Sequence, residues 1–567
     1  MKLNGAELTI RLLERQGIET IAGLPGGANL PLYDALAQRG TIHHVLARHE
    51  QGAGFIAQGM ARATGKAAVC LVTSGPGATN AITAVADAKL DSIPLVCISG
   101  QVPSQLIGTD AFQEIDVFGL SLPITKQNYL VQSVEELLRI IPEAFMLAQS
   151  GRPGPVWIDI PKDIQKAEIE IADDAWPAPG VRAATEPPAA SALDAAAHMI
   201  EKAERPIIYL GGGIIHGEAS EAARALIEKT DAPCVTTLMA IGSIPTDHPA
   251  NLGMLGMHAA PYTNLALEEC DLLVALGARF DDRATGRVNA FCPHARVLHV
   301  DIDASELGKI RQPTLGIVAD VRETLDALLP RLEERIRPEW QARIQILRTE
   351  NPMAFPGEDD LGMPYGIVRA VAEAAGEDAF VTTDVGQHQM FAAQAYPFRW
   401  PRQWLTSGGL GTMGFGVPAA IGAALASPGR TAVCISGDGS FLMNNQELIT
   451  AVEEGAKVKI VLMNNQSLGL VHQQQTLFFG KRLMASEFRH GPDFCMMARS
   501  MGVPAIDLAD TPHPRAALAA ALAAPGPALI HAPVDVRDHV LPMVPPGGAN
   551  AEMIRHAASV EASLVHV

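Results

Sequence analysis

Residues 431–465 read TAVCISGDGSFLMNNQELITAVEEGAKVKIVLMNN, and this stretch decides the fold. Its apolar runs at 431–436 and 459–463 predict two buried strands, and the helical periodicity of 446–454 predicts a helix between them. A strand, a helix and a second strand of this length form the crossover of a parallel sheet. The sequence therefore predicts an α/β protein built on parallel sheets.

Two oxygen-bearing residues, Asp438 and Asn465, lie just past the ends of these predicted strands. Ligands of parallel sheets bind beyond the carboxyl ends of the strands, so we expect both side chains at one sheet edge. A carboxylate and an amide oxygen suit Mg²⁺, which takes its remaining ligands from water and phosphate. Gly437 and Gly439 allow the backbone to approach a diphosphate closely. GDG and NN are also ordinary turn sequences, but a turn alone does not account for their spacing.

The composition excludes several classes of protein. The chain has 567 residues and a formal net charge of -19, which argues against a surface for nucleic acid or acidic membranes. Its seven Cys include no C-x-x-C pair, and Cys70, Cys97 and Cys434 lie in apolar runs, so we expect reduced packing residues in a cytoplasmic protein. An amphipathic helix begins almost at the N-terminus, and we expect neither a targeting peptide nor a membrane span.

Two Pro-rich or charged stretches, 173–190 and about 330–364, divide the alternating strand and helix signals. We predict three domains, at 1–170, 191–330 and 365–567, each with a mostly parallel sheet flanked by helices.

The first and third of these domains contain similar segments. Cys70–Val85 reads CLVTSGPGATNAITAV, and Cys434–Val452 reads CISGDGSFLMNNQELITAV. Such β-α-β units share composition, so chance similarity is one explanation and an internal duplication is the other. A duplication would place two comparable sheet edges beside one ligand.

The spacing of Asp438 and Asn465 resembles the signature of thiamine diphosphate (ThDP) enzymes. Their chemistry needs an anchored diphosphate, a bent cofactor and a carboxyl group that protonates the aminopyrimidine. Glu50, in RHEQGAGFIAQGMAR, is the candidate carboxyl because a tightly packed helix start would raise its pKa; a surface helix cap is the alternative. Met413 is the candidate wedge between the two rings, and the Gly411 carbonyl is the candidate acceptor for the 4'-amino group.

A competing motif overlaps this segment. Gly409, Gly411 and Gly414 match G-x-G-x-x-G, and Asp438 follows at the distance of a ribose-binding acid, which would indicate a nicotinamide dinucleotide site. The preceding RQWLTS is a poor central strand, and Asp438 has its own Gly-Ser turn. These two features favour the ThDP interpretation.

Over nearly its whole length the chain resembles the catalytic large subunits of acetolactate synthase (acetohydroxyacid synthase), most closely the bacterial anabolic type. The matching segments are GLPGGANLPLYDAL, RHEQGAGFIAQGMARATGK, SGPGATN, GTDAFQEIDVFG, SGRPGPVWIDIPKD, LGMLGMH, GARFDDRATG, TTDVGQHQM, GGLGTMGFGVPAAIGA, GDGSF and VPPGGAN. The resemblance implies a pyrimidine-binding N-terminal domain, a central FAD-binding domain and a C-terminal domain that binds diphosphate and Mg²⁺.

The resemblance also implies roles for individual residues. The catalytic residues would be Glu50, Gly27, Gln113, Lys162 and Arg279. Residues implied at ThDP are Glu50, Gly386, Gln387, His388, Gly411, Met413, Gly437, Asp438, Gly439, Ser440 and Asn465. Residues implied at FAD are Arg152, Gly211, Gly212, Met257, His258, Gly277, Ala278, Arg279, Asp281, Arg283, Asp301 and Ile302. The implied metal ligands are Asp438, Asn465 and the backbone carbonyl of Ser467, and the implied walls of the substrate pocket are Phe112, Val385 and Gln474.

The implied reaction decarboxylates pyruvate on ThDP and joins the remaining hydroxyethyl unit to a second 2-keto acid. The acceptor is pyruvate or 2-ketobutyrate, and the reaction is the first common step of branched-chain amino acid biosynthesis. Arg279 offers bidentate recognition of the acceptor carboxylate, unless it serves a structural ion pair. No electrons leave the substrates, so FAD would be structural. Gln474 departs from the family, in which many relatives have a Trp associated with preference for 2-ketobutyrate.

Two alternative functions remain. An FAD-dependent pyruvate oxidase uses the same cofactors but passes electrons to its flavin. A catalytically silent paralogue would act as a regulatory subunit, although it would have no reason to keep Glu50, Asp438 and Asn465. The resemblance further implies a homodimer or homotetramer, since the family places Glu50 of one subunit against the Asp438 domain of another. It also implies a small regulatory subunit, whereas we expect no nucleic acid or membrane partner.

Overall fold

Three six-stranded parallel sheets organise the chain, which the computed structural model describes over residues 1–556. Their central strands, such as Leu95–Gln101 and Val156–Pro161, are buried along their whole length because helices cover both faces of each sheet. Such strands read as continuous apolar runs rather than as alternating patterns. The prediction of three α/β domains with parallel sheets is confirmed.

The first unit contains a six-stranded parallel sheet and a two-stranded antiparallel sheet. Its elements are β1 (Lys2–Asn4), α1 (Gly5–Arg15), β2 (Thr20–Gly23), α2 (Leu30–Arg39), β3 (His43–Leu46), α3 (Glu50–Thr64), β4 (Ala68–Val72), α4 (Pro76–Asp91), β5 (Leu95–Gln101), α5 (Val117–Ser121), β6 (Gln127–Leu130), α6 (Leu137–Gln149), β7 (Val156–Pro161), α7 (Lys162–Lys166) and β8 (Glu168–Glu170). The parallel sheet has the order β3-β2-β4-β5-β7-β6, and β1 pairs with β8 in a separate antiparallel ladder. Asn4 and Glu7 form a reciprocal capping box that fixes the start of α1.

The middle unit extends further along the chain than the sequence predicted. Its elements are α8 (Ala190–Lys202), β9 (Pro206–Leu210), α9 (Gly213–His216), α10 (Ser220–Thr230), β10 (Cys234–Thr236), β11 (Asn251–Met254), α11 (Pro261–Glu269), β12 (Leu272–Leu276), α12 (Asp282–Thr285), β13 (Arg296–Asp301), β14 (Leu315–Val318), α13 (Val321–Leu328) and α14 (Pro338–Glu350). The sheet order is β11-β10-β9-β12-β13-β14. Trp340 of α14 is buried in the core of this unit beside Tyr209, and its indole donates to the Pro206 carbonyl. We therefore propose that this domain ends near Glu350 rather than at 330.

The third unit carries the motif that opened the sequence analysis. Its elements are α15 (Pro364–Ala375), β15 (Phe380–Thr383), α16 (Gln387–Ala395), β16 (Trp404–Thr406), α17 (Gly416–Ala426), β17 (Ala432–Gly437), α18 (Asp438–Phe441), α19 (Glu447–Glu453), β18 (Val458–Asn464), α20 (Gly469–Phe478), α21 (Phe494–Ser500), β19 (Ala505–Asp507), α22 (Pro514–Ala523) and β20 (Ala528–Pro533). The sheet order is β16-β15-β17-β18-β20-β19. The strand before Gly409 is thus an edge strand, which agrees with the argument against a dinucleotide-binding loop.

The first and third units have the same topology. Counted along the chain within each parallel sheet, the strands of both units lie in the order 2-1-3-4-6-5. In this correspondence β4 matches β17, the strands in which the two similar segments begin, and β5 matches β18, the strands that follow these segments. The similarity between these segments therefore extends to the fold of the whole unit.

Equivalent helices of the two repeated units, α3 and α17, pack directly on each other. A Cβ added to Gly59 of α3 would lie 2.1 Å from the Ala419 carbonyl oxygen, and a Cβ added to Gly422 of α17 would lie 1.9 Å from the Ile56 carbonyl oxygen. The two contacts are reciprocal, as expected for helices related by an approximate two-fold axis. Glycine permits this backbone-to-backbone approach because it has no side chain.

All seven Cys lie within the described residues and are buried and free, as the sequence predicted. Within residues 1–556 no helix is long and apolar enough to cross a membrane.

Candidate cofactor and active site

A narrow cleft opens where the strand order of the third sheet reverses. The chain leaves β15 towards β16 on one side and leaves β17 towards β18 on the other, so the loops after β15 and β17 diverge and leave a crevice. The cleft measures about 70 Å³. Predicted site residues that line it are Val385, Gly386, Gln387, His388, Met413, Gly437, Asp438, Gly439, Ser440, Asn465 and Ser467. The structure thus brings the predicted diphosphate and metal residues together at one sheet edge.

Asp438 is a buried carboxyl group at the floor of this cleft. Burial raises its pKa to about 6, against the opposing effect of backbone N–H groups of Gly439, Ser467 and Gln466. A cation beside the carboxyl would favour its ionised form and offset this cost. The environment therefore suits a metal ligand.

The Asn465 side chain is held in one orientation by its neighbours. Its Nδ2 donates to Gln387 Oε1 at 3.1 Å, and its Oδ1 accepts from the Ser467 N–H at 3.1 Å. Gln466 between them adopts a left-handed backbone with φ of 54°. Gln387 in turn donates to the buried side chain of Gln473 at 2.9 Å, so the loop is fixed to both α16 and α20. Its oxygen atoms are consequently preorganised at the cleft.

The charges around the cleft favour a cation beside any anionic ligand. Three carboxyl groups line it, those of Asp438, Asp535 and Asp538, whereas none of its described lining residues is Lys or Arg. Two buried polar atoms at the cleft, His388 Nε2 and Asp538 Oδ2, lack hydrogen-bond partners within residues 1–556. Burial lowers the pKa of His388 to about 3, so its ring is neutral. These residues fit a diphosphate that arrives with Mg²⁺.

A much larger cavity of about 520 Å³ lies where all three units meet. Predicted FAD residues that line it are Arg152, Gly212, Met257, His258, Gly277, Ala278, Arg279, Asp281, Arg283, Asp301 and Ile302. Gly211 does not line it but packs behind it, where an added Cβ would lie 2.1 Å from the Gly277 carbonyl oxygen. Cavities of this size hold nucleotide cofactors, and the buried Thr237 hydroxyl on its wall has no partner within residues 1–556. The residues present therefore fit FAD.

Charged groups on the cavity wall differ in how they are already paired. Arg152 is engaged, since it donates to Asp303 at 3.2 Å and to Glu306 at 2.7 Å. Arg279, in contrast, makes no hydrogen bond or ion pair within residues 1–556. Burial raises the pKa of Asp301, at the end of β13, to about 6. Arg279 is thus available to an anionic ligand rather than committed to a structural ion pair.

The cavity and the cleft are adjacent spaces. Val385 and Leu470 line both of them. Gln474 lies one helical turn beyond Leu470 and lines the cavity, as does Gly411. The predicted pocket residues Val385, Gln474 and Arg279 therefore all line the large cavity.

Comparisons with known proteins agree with this arrangement. Models of the thiamine pyrophosphate enzymes match the chain in three consecutive parts: the N-terminal TPP binding domain over 3–120, the central domain over 193–328 and the C-terminal TPP binding domain over 384–532. The chain is 55% identical to the acetolactate synthase isozyme 1 large subunit of Escherichia coli (strain K12), over 98% of both chains. The chain belongs to the acetolactate synthase large-subunit family.

Two other family members give the same result. Identity is 48% to the isozyme 2 large subunit of the same strain, over 97% of this chain and 99% of that one. It is 46% to the acetolactate synthase large subunit of Parasynechococcus marenigrum (strain WH8102), over 97% and 91%. The family resemblance seen in the motifs therefore extends across the whole chain, and its first and third units are thiamine pyrophosphate-binding domains.

Five residues that the acetolactate synthase resemblance places at the reaction centre do not line the cleft or the large cavity. They are Gly27, Glu50, Phe112, Gln113 and Lys162. All five follow strands of the first sheet, so they lie at its carboxyl edge. Within one chain, the structure does not bring this edge to the Asp438 cleft.

The carboxyl edge of the first sheet is open in the single chain. Glu50 begins α3, is half-buried and accepts from Asn80 Nδ2 at 2.9 Å. Phe112 is 87% exposed. The buried Thr73 hydroxyl has no partner within residues 1–556. An exposed aromatic ring and an unpartnered hydroxyl at this edge are features of a surface that another molecule covers.

Cys495, Asp507 and His531 form a further cluster, with ligand atoms within 4.8 Å of one another. The neighbouring Asn464 accepts the Gln466 N–H through Oδ1, so its Nδ2 donates to His531 Nε2. His531 Nδ1–H then donates to Asp507 at 2.8 Å. Both ring nitrogens are engaged, and a metal ion at Nδ1 would disrupt this chain of bonds. We interpret the cluster as a structural support for the Asn465 loop.

Sequence reasoning missed two residues that shape the cleft. Asp384 is fully buried at the end of β15, where it accepts from the Gly416 N–H at 2.9 Å and the Ser436 hydroxyl at 2.5 Å. Its position directly after a buried strand is the signal that identified Asp438, and it was available in TTDVGQH. Gln473 bonds both the N–H and the carbonyl of Val540. No local pattern marks it, because its partner lies 67 residues away.

Proposed function

We propose that this chain is the catalytic subunit of an acetolactate synthase that uses ThDP, Mg²⁺ and FAD. It decarboxylates pyruvate and transfers the hydroxyethyl unit to pyruvate or 2-ketobutyrate. The observation that carries the proposal is the cleft at the end of β15 and β17, which has three carboxyl groups and no Lys or Arg among its described lining residues. Such a cleft suits a diphosphate bridged by a divalent cation. Similarity to acetolactate synthase large subunits over 98% of the chain supports the substrate class.

Residues of the cleft would anchor the cofactor. Asp438, Asn465 and the Ser467 carbonyl would hold Mg²⁺, and Gly386, Gln387 and His388 would contact the diphosphate. When bound, ThDP supplies an electron sink for decarboxylation and carbon–carbon bond formation. Met413 lines the cleft and would pack against the cofactor rings.

Residues that line the large cavity would bind the acceptor. Arg279, free of ion pairs within residues 1–556, would bind its carboxylate with two parallel N–H bonds. Val385 and Gln474 would contact its alkyl group. FAD in the large cavity would have a structural role, since the overall reaction transfers no electrons.

The proton-transfer group would come from a second copy of the chain. Glu50 and the exposed Phe112 lie on the open edge of the first sheet, away from the cleft of their own chain. A homodimer that sets this edge against the Asp438 cleft of the partner would complete the site, with Gly27, Gln113 and Lys162 beside it. The relatives are named large subunits, so we also propose a small regulatory subunit as partner.

Product analysis tests the function. Purified protein with ThDP, Mg²⁺, FAD and pyruvate should form acetolactate and CO₂, and its flavin should stay oxidised under anaerobic turnover. Asp438→Ala should lose Mg²⁺-dependent ThDP binding, because the diphosphate would face carboxyl groups without a metal bridge. Asp326→Ala, an exposed carboxyl of the middle domain, is the control. Flavin bleaching with pyruvate would instead indicate an oxidase, and absence of turnover with all cofactors bound would indicate a silent paralogue.

A further inference from the structure

The segment 407–413 lies between the two proposed cofactor spaces. Ser407, Gly408, Gly409, Leu410 and Gly411 line the large cavity, and Met413 lines the cleft. Any shift of this segment therefore changes both spaces. What holds the segment in place is a pair of buried carboxyl groups on helix α4 of the first domain.

Asp91, the last residue of α4, binds backbone N–H groups of the segment with its side chain. Its side chain is fully buried and accepts from the Gly409 N–H at 2.6 Å and the Gly408 N–H at 3.1 Å. An added Cβ at Gly409 would lie 2.9 Å from Asp91 Oδ1, and one at Gly408 would lie 2.2 Å from Met239 Sδ. Gly409 thus lets the segment rest directly on α4, and Gly408 lets it approach Met239 of the middle domain.

Asp87, one helical turn earlier, binds two hydroxyl groups of the segment. It accepts from the Ser407 hydroxyl and from the Thr412 hydroxyl at 2.8 Å. Ser407 Oγ also accepts from the Thr412 N–H at 2.8 Å, which closes the segment into a compact loop. Asp87 therefore holds Ser407 and Thr412, near the two ends of the segment, and Asp91 holds Gly408 and Gly409 within it.

Arg62 balances the two carboxylates. Its Nη2 donates to Asp87 at 3.0 Å and to Asp91 at 2.8 Å, and its Nη1 donates to the Thr406 carbonyl at 2.8 Å. Two carboxyl groups share one guanidinium, and burial together with the Asp91 charge raises the pKa of Asp87 to about 6. Breaking a buried charged network of this kind is strongly destabilising, so a role in positioning must be separated from a role in stability.

The middle domain also contacts this network. His216, which is half-buried and lines the large cavity, bonds the Asp91 carbonyl oxygen at 3.2 Å. Burial lowers the pKa of His216 to about 4, so the ring is neutral and its N–H donates. One residue, Asp91, thus joins the large cavity, the 407–413 segment and the first domain.

We propose that Asp87 and Asp91 are positioning residues that couple the two cofactor sites, so that occupancy of the large cavity tightens cofactor binding in the cleft. The proposal rests on the proposed function, in which FAD occupies the cavity and ThDP the cleft. Coupling between two sites is reciprocal, and factors of about 5 to 150 are typical. FAD should therefore tighten ThDP binding by about fivefold or more, and ThDP should tighten FAD binding by the same factor.

Asp91→Asn tests the coupling with little change in shape. An amide presents one acceptor where the carboxylate presents two, so its NH₂ group opposes a glycine N–H or Arg62. The affinity of ThDP, with Mg²⁺, is measured by titration with and without saturating FAD. We expect the coupling factor, which is the ratio of the ThDP affinities with and without FAD, to fall to within about twofold of unity. The exchange of the thiazolium C2 proton in D₂O should lose its dependence on FAD in parallel.

Asp271→Asn is the matched control, since Asp271 accepts two consecutive backbone N–H groups, from Glu204 at 2.8 Å and Arg205 at 2.9 Å, away from both spaces. It should keep the full coupling factor. Thr412→Val is the second variant if Asp91→Asn fails to fold, and it should reduce the factor as well. Unchanged coupling in a folded Asp91→Asn or Thr412→Val protein, or no coupling in the unmodified protein, would overturn the proposal. Failure to bind FAD or to form acetolactate would instead overturn the proposed function.

Discussion

Buried carboxyl groups do different work in this molecule according to what surrounds them. Burial raises the pKa of Asp438, Asp384 and Asp159 alike. Asp438 opens onto a cleft with two further carboxyl groups, which makes it a place for a cation. Asp384 accepts from the Gly416 N–H and the Ser436 hydroxyl, and it thereby links the end of β15 to α17 and β17. Access to the cleft, rather than the pKa shift itself, distinguishes the proposed ligand from the structural group.

Asp159 gives a direct test of the electrostatics. It accepts from Ser99 and Gln101, and burial raises its pKa from 3.8 to about 7. Between these values the folded state keeps a proton that the unfolded state releases, so the unfolding free energy falls by about 1.4 kcal/mol per pH unit as pH rises. At about pH 5.5, Asp159→Asn should release one proton fewer than the unmodified protein on unfolding in denaturant. Potentiometric titration measures this, with the exposed Asp326→Asn as control; equal proton release would show that Asp159 is ionised in the folded protein.

Glu50→Gln tests the proposed activating carboxyl. The amide keeps the size and the bond from Asn80 but cannot exchange the proton. ThDP binding should be roughly retained while acetolactate formation falls by about 10² or more, typical of lost acid–base assistance. Steady-state assays and ThDP titration are both required. Turnover near that of the unmodified protein would remove Glu50 from this role.

Gln474 governs the proposed choice of acceptor. Gln474 and Val385 both line the large cavity. The flexible amide of Gln474 offers little apolar contact to the extra methylene of 2-ketobutyrate. One methylene in an apolar pocket is worth about 1 to 3 kcal/mol, so the unmodified protein should use both acceptors with similar efficiency. Gln474→Trp should raise preference for 2-ketobutyrate by about tenfold or more in a competition assay. A strong preference before mutation, or none gained after it, would place selectivity elsewhere.

At the scale of elements, the α3–α17 contact joins the two repeated domains. Gly422→Ala adds a methyl group 1.9 Å from the Ile56 carbonyl oxygen, in a contact that backbone atoms on both sides make rigid. Overpacking of this kind costs about 1 to 3 kcal/mol, so Tm should fall by about 2 °C or more. Gly491→Ala, whose added Cβ would meet no heavy atom within 4 Å, is the control. Equal melting by circular dichroism in both variants would mean that the helices separate at little cost.

Local sequence signals predicted the strand, helix and strand of 431–463 and the residues that follow these two strands. Asp438 and Asn465 were predictable because each directly follows a strand that is buried on both faces, and parallel strands end at a common edge. The bonds from Asp91 to Gly408 and Gly409 were not, because they span more than 300 residues and exist only once α4 docks on the third domain. Helix α14 was not predicted, because the Pro and charged residues of its stretch resemble those of a linker. Its Trp340 is nevertheless buried in a hydrophobic core.

At the scale of the whole molecule, the large cavity draws on all three domains. Arg152 comes from the first, Arg279 and Asp301 from the second, and Val385 and Gln474 from the third. A ligand there would hold the domains in register without taking part in chemistry. Because the proposed reaction moves no electrons, 5-deaza-FAD should support acetolactate formation at about the rate of FAD. A protein that binds the analogue, keeps its fold and yet gives no acetolactate would contradict a structural role.

In the proposed homodimer, the separation of Glu50 from the Asp438 cleft would make catalysis subject to mass action. A single chain would hold two half-sites, and association with a second chain would convert them into working centres. Specific activity would then fall on dilution while every chain remained folded, and protein concentration would set the fraction of chains that catalyse.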